Sequence, residues 1–367
     1  GCKFCAQMRV YEVRNMELDE AIRSVQPLCE ESMQAARRQF TNIAIPLGSL
    51  GLLEDAIIQL AGIQRKPKPE IGRRAVVVFC ADNGVVAQGV TQCGQEVTAI
   101  VTENLHRGQT TVCLMAKQAG VDVIPVDIGV ARDVEGDTIR RCKVMYGTND
   151  MTCEPAMTRE QAIKAIQTGI DLAEKCKENG YKLLCVGEMG IGNTTSTAAV
   201  TAALLGLPVS EVTGRGAGLS SEGLVRKIAA IETALQLHRP DPNDPIDVVH
   251  KVGGLDIAGM IGLYIGGAAC GLPVVVDGVI ACAAALCAVR LCPAARDYFI
   301  ISHQSAEPAG EKLLHALDAR PFISAGMRLG EGTGAVATVA LLDLALAPYL
   351  GMVSFEETNI EAYQPLT

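Results

Sequence analysis

The chain has 367 residues, enough for one large domain or two modest ones and for a substantial core without disulfide or metal staples. A formal charge of −9, 4% aromatics and no Trp give neither the electrostatic footprint nor the stacking residues of a nucleic-acid binder. Hydrophobic content of 49% against 20% charged residues excludes disorder, and 37 glycines beside 14 cysteines point to an α/β enzyme with tight turns.

In chain order, residues 18–38 are charged and helical in pattern, with a break at Pro27. They are expected to form a helical layer before the first strand, together with residues 356–363. Strands are predicted at 75–80, 121–126, 182–186, 273–276 and 298–301, with a weaker signal at 322–324. Near-continuous Val, Leu and Ile mark strands covered on both faces. Helices are predicted at 50–63, 195–205, 221–237 and 279–290. Asn193 or Thr194 is placed to cap the second of these, and Gly206 followed by Pro208 to end it. This alternation predicts an α/β fold with a doubly wound, mostly parallel, Rossmann-like sheet. Residues 41–349 are expected to form the large catalytic domain, and 1–40 with 350–367 a small helical one.

Most cysteines sit in apolar runs, as Cys80 and Cys185 do, where Cys behaves as a small hydrophobe. No signal peptide is read at the start, and a reducing cytoplasm is expected. Cys2 and Cys5 are the one pair with metal-like spacing, and no second pair completes a zinc set, so no metal is expected. Residues 257–276 carry no formal charge over the length of a membrane span. Five glycines and Pro273 within that run instead favour a helix, a turn and a buried strand, and no membrane partner is expected.

Ligands of open parallel sheets bind beyond the carboxyl ends of the strands, and each predicted strand here runs into glycine and polar residues. The richest junction is Gly187-Glu188-Met189-Gly190-Ile191-Gly192-Asn193-Thr194-Thr195. Its glycines allow close backbone approach and its helix start offers free N–H groups to a phosphate. It is not a Walker loop, and the Rossmann triple-glycine spacing is absent. On the residues alone, alternatives stand beside each functional reading. The turn is equally a capped glycine turn with nothing bound, and Glu188 and Glu331 suit solvated turn carboxylates. Lys227 suits an exposed helix cation beside Arg226, Asp82 and Asp277 suit helix caps, and His303 a structural histidine. No nucleophile elbow or Ser-His-Asp order supports hydrolysis.

Taken together, Asp82-Asn83-Gly84-Val85-Val86, the 187–195 junction, Gly214-Arg215-Gly216, Gly253-Gly254-Leu255-Asp256-Ile257-Ala258-Gly259, Val275-Val276-Asp277-Gly278, Ser302-His303-Gln304-Ser305-Ala306-Glu307-Pro308 and Arg328-Leu329-Gly330-Glu331-Gly332-Thr333-Gly334 resemble one family. That family is the nicotinate-nucleotide–dimethylbenzimidazole phosphoribosyltransferases of cobalamin lower-ligand synthesis. The resemblance implies a phosphoribosyl transfer from nicotinate mononucleotide to a base, with inversion to the α-riboside and release of nicotinate, by a homodimer. It places the catalytic carboxylate on Glu331 and a supporting acid and lysine on Glu188 and Lys227. Phosphate and ribose contacts fall on Gly190, Ile191, Gly192, Asn193, Thr194, Ser305 and Gly330, with Asp82 and Asp277 supporting. The base end falls on Cys93, Val101 and Leu329. Neither Cys93 nor Val101 is a strong hydrogen-bond former, so 5,6-dimethylbenzimidazole, another benzimidazole, a purine or a phenolic base is expected. The leaving pyridine is already cationic, so no general acid, metal or cofactor is expected, whereas the incoming base must lose a proton to a carboxylate. The competing expectation is a nucleotide- or base-binding subunit active only with a paralogous partner; the joint presence of Glu188, Lys227 and Glu331 argues against it.

Overall fold

A computed structural model describes residues 16–364; Cys2 and Cys5 lie outside them. Six strands form one parallel sheet: β1 (Arg74–Ala81), β2 (Asp122–Gly129), β3 (Arg140–Arg141), β4 (Leu183–Met189), β5 (Val274–Val276) and β6 (Phe299–Ile301). Their order is β3-β2-β1-β4-β5-β6, so the chain winds outward from β1 to one edge and from β4 to the other. The fold is the expected doubly wound α/β sheet.

The near-continuous apolar character of β1 has a direct cause. Ala75, Val77, Phe79 and Ala81 pack into the core on one face, while Val76, Val78 and Cys80 pack into the core on the other. Two differences from the predicted strands follow from the same physics. The edge strand β3 is two exposed arginines, which carry no apolar signature. Residues 322–324 contribute only a single parallel bridge, His303 to Ile323, because the chain there leaves the sheet for the 324–332 loop.

The uncharged run 257–276 is divided as its glycines suggested, into the helix Leu255–Ala269, a turn at Gly271 and β5. That helix lies directly on the helix Arg159–Glu178. A Cβ at Gly262 would strike the Ile166 carbonyl, one at Gly169 would strike the Gly259 carbonyl, and one at Gly266 would come 2.8 Å from the Ile170 Cα. Glycine is what permits backbones to approach this closely. Among the described residues one helix, Thr333–Gly351, is long and apolar enough to cross a membrane, and half of it is buried against the rest of the chain. It packs on β4, β5 and the helices Leu52–Gln64 and Thr111–Ala119.

Near the termini, the helix Glu30–Asn42 covers Leu52–Gln64, and Ile43 forms an antiparallel bridge with Ser354. The Phe40 and Tyr349 rings meet at 4.7 Å. The helix Leu18–Ser24 goes elsewhere, to Leu255–Ala269 and Arg159–Glu178 in the core of the opposite face. The segment 356–363 is shorter in helix than expected, with one turn at Phe355–Thr358.

Candidate active site

The sheet order reverses between β1 and β4, and a crevice opens beyond their carboxyl ends, where such folds bind ligands. A cavity of about 250 Å³ lies there, walled by the segments that follow β1, β4, β5 and β6 and by the loops around Gly216 and Gly330.

The segment after β4 forms one wall. Gly192, at φ +91°, sits at the N-cap of the helix Asn193–Leu205 instead of the expected Asn193 or Thr194; Gly206 ends that helix as predicted. The left-handed turn at Gly192 brings the helix start to the cavity wall. There the Asn193 and Thr195 N–H groups close onto the Gly190 and Gly192 carbonyls at 3.0 and 2.9 Å, so they are not the free groups that the sequence predicts. Gly190, Ile191, Gly192, Asn193 and Thr194 all line it. The turn is braced from behind. Thr98 Oγ1 accepts the Ile191 N–H at 3.0 Å, and Asn83 Oδ1 accepts the Ser196 hydroxyl at 2.8 Å. A Cβ at Gly190 would strike the Ala81 carbonyl, so the segment lies flat on the end of β1.

Lys227 is not an exposed helix cation: it is 1% exposed, and its Nζ donates to Thr194 Oγ1 at 2.7 Å. Burial pushes its ammonium down to about 8, against the favourable charge of Glu307. It stands behind Thr194, at the Gly190–Thr194 end of the cavity. Ser305 lines the same end and is buried, its Oγ accepting the Glu307 N–H at 3.4 Å.

Glu188, at the end of β4, is buried, and so is neither a solvated turn acid nor free. Its Oε2 accepts from Asn193 Nδ2, and the same nitrogen donates to Asp256 Oδ2 at 2.9 Å. Burial, then the negative charge of Asp256, pushes Glu188 up to about 8. Burial likewise raises Asp256, to about 6, against the Asn193 hydrogen bond.

Glu331 lies in a run of three left-handed residues: Gly330 at φ +91°, Glu331 at +60° and Gly332 at +89°. Glutamate adopts this region at a cost, typically of about 1–3 kcal/mol, that the surrounding contacts must offset. The Glu331 N–H donates to the Glu188 carbonyl at 3.2 Å, and its Oε2 accepts the Val112 N–H at 3.1 Å, at the start of the helix Thr111–Ala119. Burial raises its carboxyl, partly offset by the Val112 hydrogen bond. Asp277, buried at the end of β5, accepts the Gly332 N–H at 3.2 Å and the Ala335 N–H at 3.0 Å. It therefore caps a helix, as its alternative reading allowed, but the distant Thr333–Gly351 and not the one that follows it. His303 Nδ1 lies 3.0 Å from Ser302 Oγ and 3.8 Å from Asp277 Oδ1.

At the other end Cys93 and Leu329 line the cavity, Leu329 at the mouth and 54% exposed. Two expected site residues are not on the wall. Val101 lies on the helix Glu96–His106 away from the cavity, and Asp82 is turned under it, accepting the Ala131 N–H at 2.7 Å and so tying the end of β1 to the end of β2. Several wall or support residues carry no role in the sequence reading: Asn83, Arg215, Asp256, Glu307 and Arg328. All five stand inside the quoted motif blocks, so the signal is present, but an acid or amide near a helix start reads first as a cap.

A phosphate-type cradle facing buried carboxylates across one crevice fits group transfer on a phosphorylated substrate. A family model described as Phosphoribosyltransferase matches residues 25–360, and the chain is a phosphoribosyltransferase. Relatives named nicotinate-nucleotide–dimethylbenzimidazole phosphoribosyltransferase are similar over nearly their whole length. The one from Ruminiclostridium cellulolyticum is 45% identical over 351 residues, covering 96% of this chain and 100% of the relative. That from Acetivibrio thermocellus is 46% identical over 348 residues, covering 95% and 99%. The crystal structure of CobT from Thermus thermophilus superposes with a TM-score of 0.86 at 40% identity, over 91% of this chain and 100% of that one. The chain belongs to the nicotinate-nucleotide–dimethylbenzimidazole phosphoribosyltransferase family.

Proposed function

We infer that this chain transfers the 5-phosphoribosyl group of nicotinate mononucleotide to 5,6-dimethylbenzimidazole or a related lower-ligand base, releasing nicotinate and the α-riboside 5′-phosphate. The observation that carries this reading is the polarity of the cavity. Its Gly190 to Thr194 segment suits a phosphate, and Glu188 and Glu331 both line the wall beside it, joined by the hydrogen bond from the Glu331 N–H to the Glu188 carbonyl.

The C1′–N bond to the pyridinium breaks with its electron pair going to the pyridine nitrogen, which neutralises the ring, so no acid is needed for departure. A base nitrogen attacks C1′ from the opposite face, and the proton on the other base nitrogen passes to the Glu331 carboxylate. Glu188, ionised, faces the positive charge that develops on the ribose. Lys227 braces Thr194 at the phosphate and adds a positive charge there.

The purified chain alone, with nicotinate mononucleotide and base, is expected to form the riboside phosphate. Glu331→Gln is expected to lower kcat by about 10²–10⁴-fold while nicotinate mononucleotide still binds. Turnover near wild type would overturn the role of Glu331.

The chain is further proposed to work as a homodimer in the cytoplasm. Leu344, 68% exposed, and Leu114, 64% exposed, lie on the neighbouring helices Thr333–Gly351 and Thr111–Ala119, an apolar surface of the kind that associates. Its buried free thiols suit a reducing compartment. Light scattering is expected to give twice the 38.7 kDa of the chain, and a single-chain mass would overturn the dimer.

A further inference from the structure

We propose that Asp256 is a positioning residue for transfer: through the amide of Asn193 it fixes the carboxyl of Glu188 at the cavity wall. The proposal rests on the transferase reading above. Asp256 is the second residue of the helix Leu255–Ala269, is fully buried and does not itself line the cavity. Its Oδ2 takes one hydrogen of Asn193 Nδ2, and Glu188 Oε2 takes the other. One amide nitrogen has two hydrogens, so this single side chain joins both carboxyls. With Asp256 ionised, flipping the Asn193 amide would set its oxygen against the Asp256 carboxylate, so the amide N–H groups are held toward the two acids.

The arrangement is costly, and the fold alone does not call for it. Asp256 Oδ1 is buried without a well-aligned hydrogen-bond partner, although the Asp256 and Ile257 N–H groups at the helix start help hold the carboxyl, and a buried acid so placed asks for an explanation. A helix start would be served by Ser or Asn at less expense. Space has been kept for the acid as well: a Cβ at Gly254 would come 2.5 Å from Asp256 Oδ1 and 2.9 Å from Asn83 Oδ1. The charge of Asp256 also acts on its partner. Glu188 is faced by Asp256 from its helix, by Asp277 from the end of β5 and by Glu331 from the 330–332 turn. All three oppose its ionisation, and Asp256 does so most.

Asp256→Asn keeps an oxygen for Asn193 and removes the charge. In the full-length enzyme it is expected to lower kcat about tenfold or more with little change in KM for nicotinate mononucleotide, and to move the acid limb of the kcat/KM profile to lower pH. In a Glu188→Gln background the same change is expected to cost little further, because its route of action is gone. An additive loss in that background, or an unmoved limb, would overturn the proposal. If Asp256→Asn does not fold, Asp256→Ser replaces it. A readout without turnover separates the two readings. The infrared carboxylic-acid band of ligand-free protein that Glu188→Gln removes should titrate near 8 in wild type and lower without Asp256. A wild type that fails to turn over would sink the transferase reading, whereas an unshifted band would sink this one.

Discussion

Two ionisable groups at the cavity meet at nearly the same pH from opposite directions. Burial and neighbouring acids push Glu188 up to about 8, and burial pushes Lys227 down to about 8. Glu188 gains its charge as the pH rises through that value, and Lys227 loses its charge there. The kcat/KM profile reports the free enzyme and is therefore expected to peak near pH 8 and fall on both sides. Glu188→Gln should remove the acid-side dependence on this group, and Lys227→Gln the alkaline one; a flat profile across about two pH units either side of the peak would contradict this pairing. The sequence shows these residues at strand and helix starts but not their burial. Arg226-Lys227 reads as a pair of surface cations, and only the packing of Ser221–His238 against the 193–205 helix turns the second inward. Asp256 escapes a sequence reading for a related reason. Its function lies in a hydrogen bond across 63 residues to Asn193, which no local pattern encodes.

Among the elements, the buried helix Leu255–Ala269 carries the clearest constraint. Gly262 faces the Ile166 carbonyl with no room for a methyl group. Gly262→Ala is expected to force this helix from Arg159–Glu178 and to destabilise the fold by about 1–3 kcal/mol, read by urea or thermal unfolding. Unchanged stability would show that the two backbones are not locked together. Strands β1, β2 and β4 are legible because both faces are covered and the sequence is apolar throughout. The edge is not. Arg140 and Arg141 pair with Val126 and Asp127 through their backbones, and both residues are exposed, Arg141 Nη1 donating to the Val134 carbonyl at 3.0 Å. The reverse error at 322–324 has the same origin, since an apolar run marks burial and not pairing.

At the scale of the whole molecule, the two ends of the cavity differ in how they specify a ligand. The end proposed to hold the phosphate is built from main-chain geometry braced by Asn83, Thr98 and Lys227. At the end proposed to hold the base, Thr91 Oγ1 donates to the Cys93 carbonyl at 2.7 Å, and Gln92 Nε2 donates to the Gly218 carbonyl, so both side chains are already engaged. What remains there is largely Cys93, Val90 and Leu329, with Arg328 beside them. A largely apolar wall rejects a related base weakly, typically by about 10–200-fold for a small apolar difference. A panel of benzimidazoles, purines and phenols, with products identified by mass, is expected to give kcat/KM values within that span for several bases. One base preferred by about 10⁴-fold or more would show directed recognition instead.

The cap that Asp277 provides has a consequence for how the enzyme comes into being. The turn carrying Glu331 is held by Asp277 and by the helix Thr333–Gly351, the last long element of the chain, whereas the phosphate segment follows β4 near the middle. On the roles proposed above, a chain emerging from the ribosome makes the segment after β4 well before Glu331 can be fixed in place. Until the final helix docks, the 330–332 turn lacks the helix start that, with the Asp277 cap, holds it. Competence for the proposed transfer is thus the last thing made, and it coincides with closure of the core on that face of the sheet.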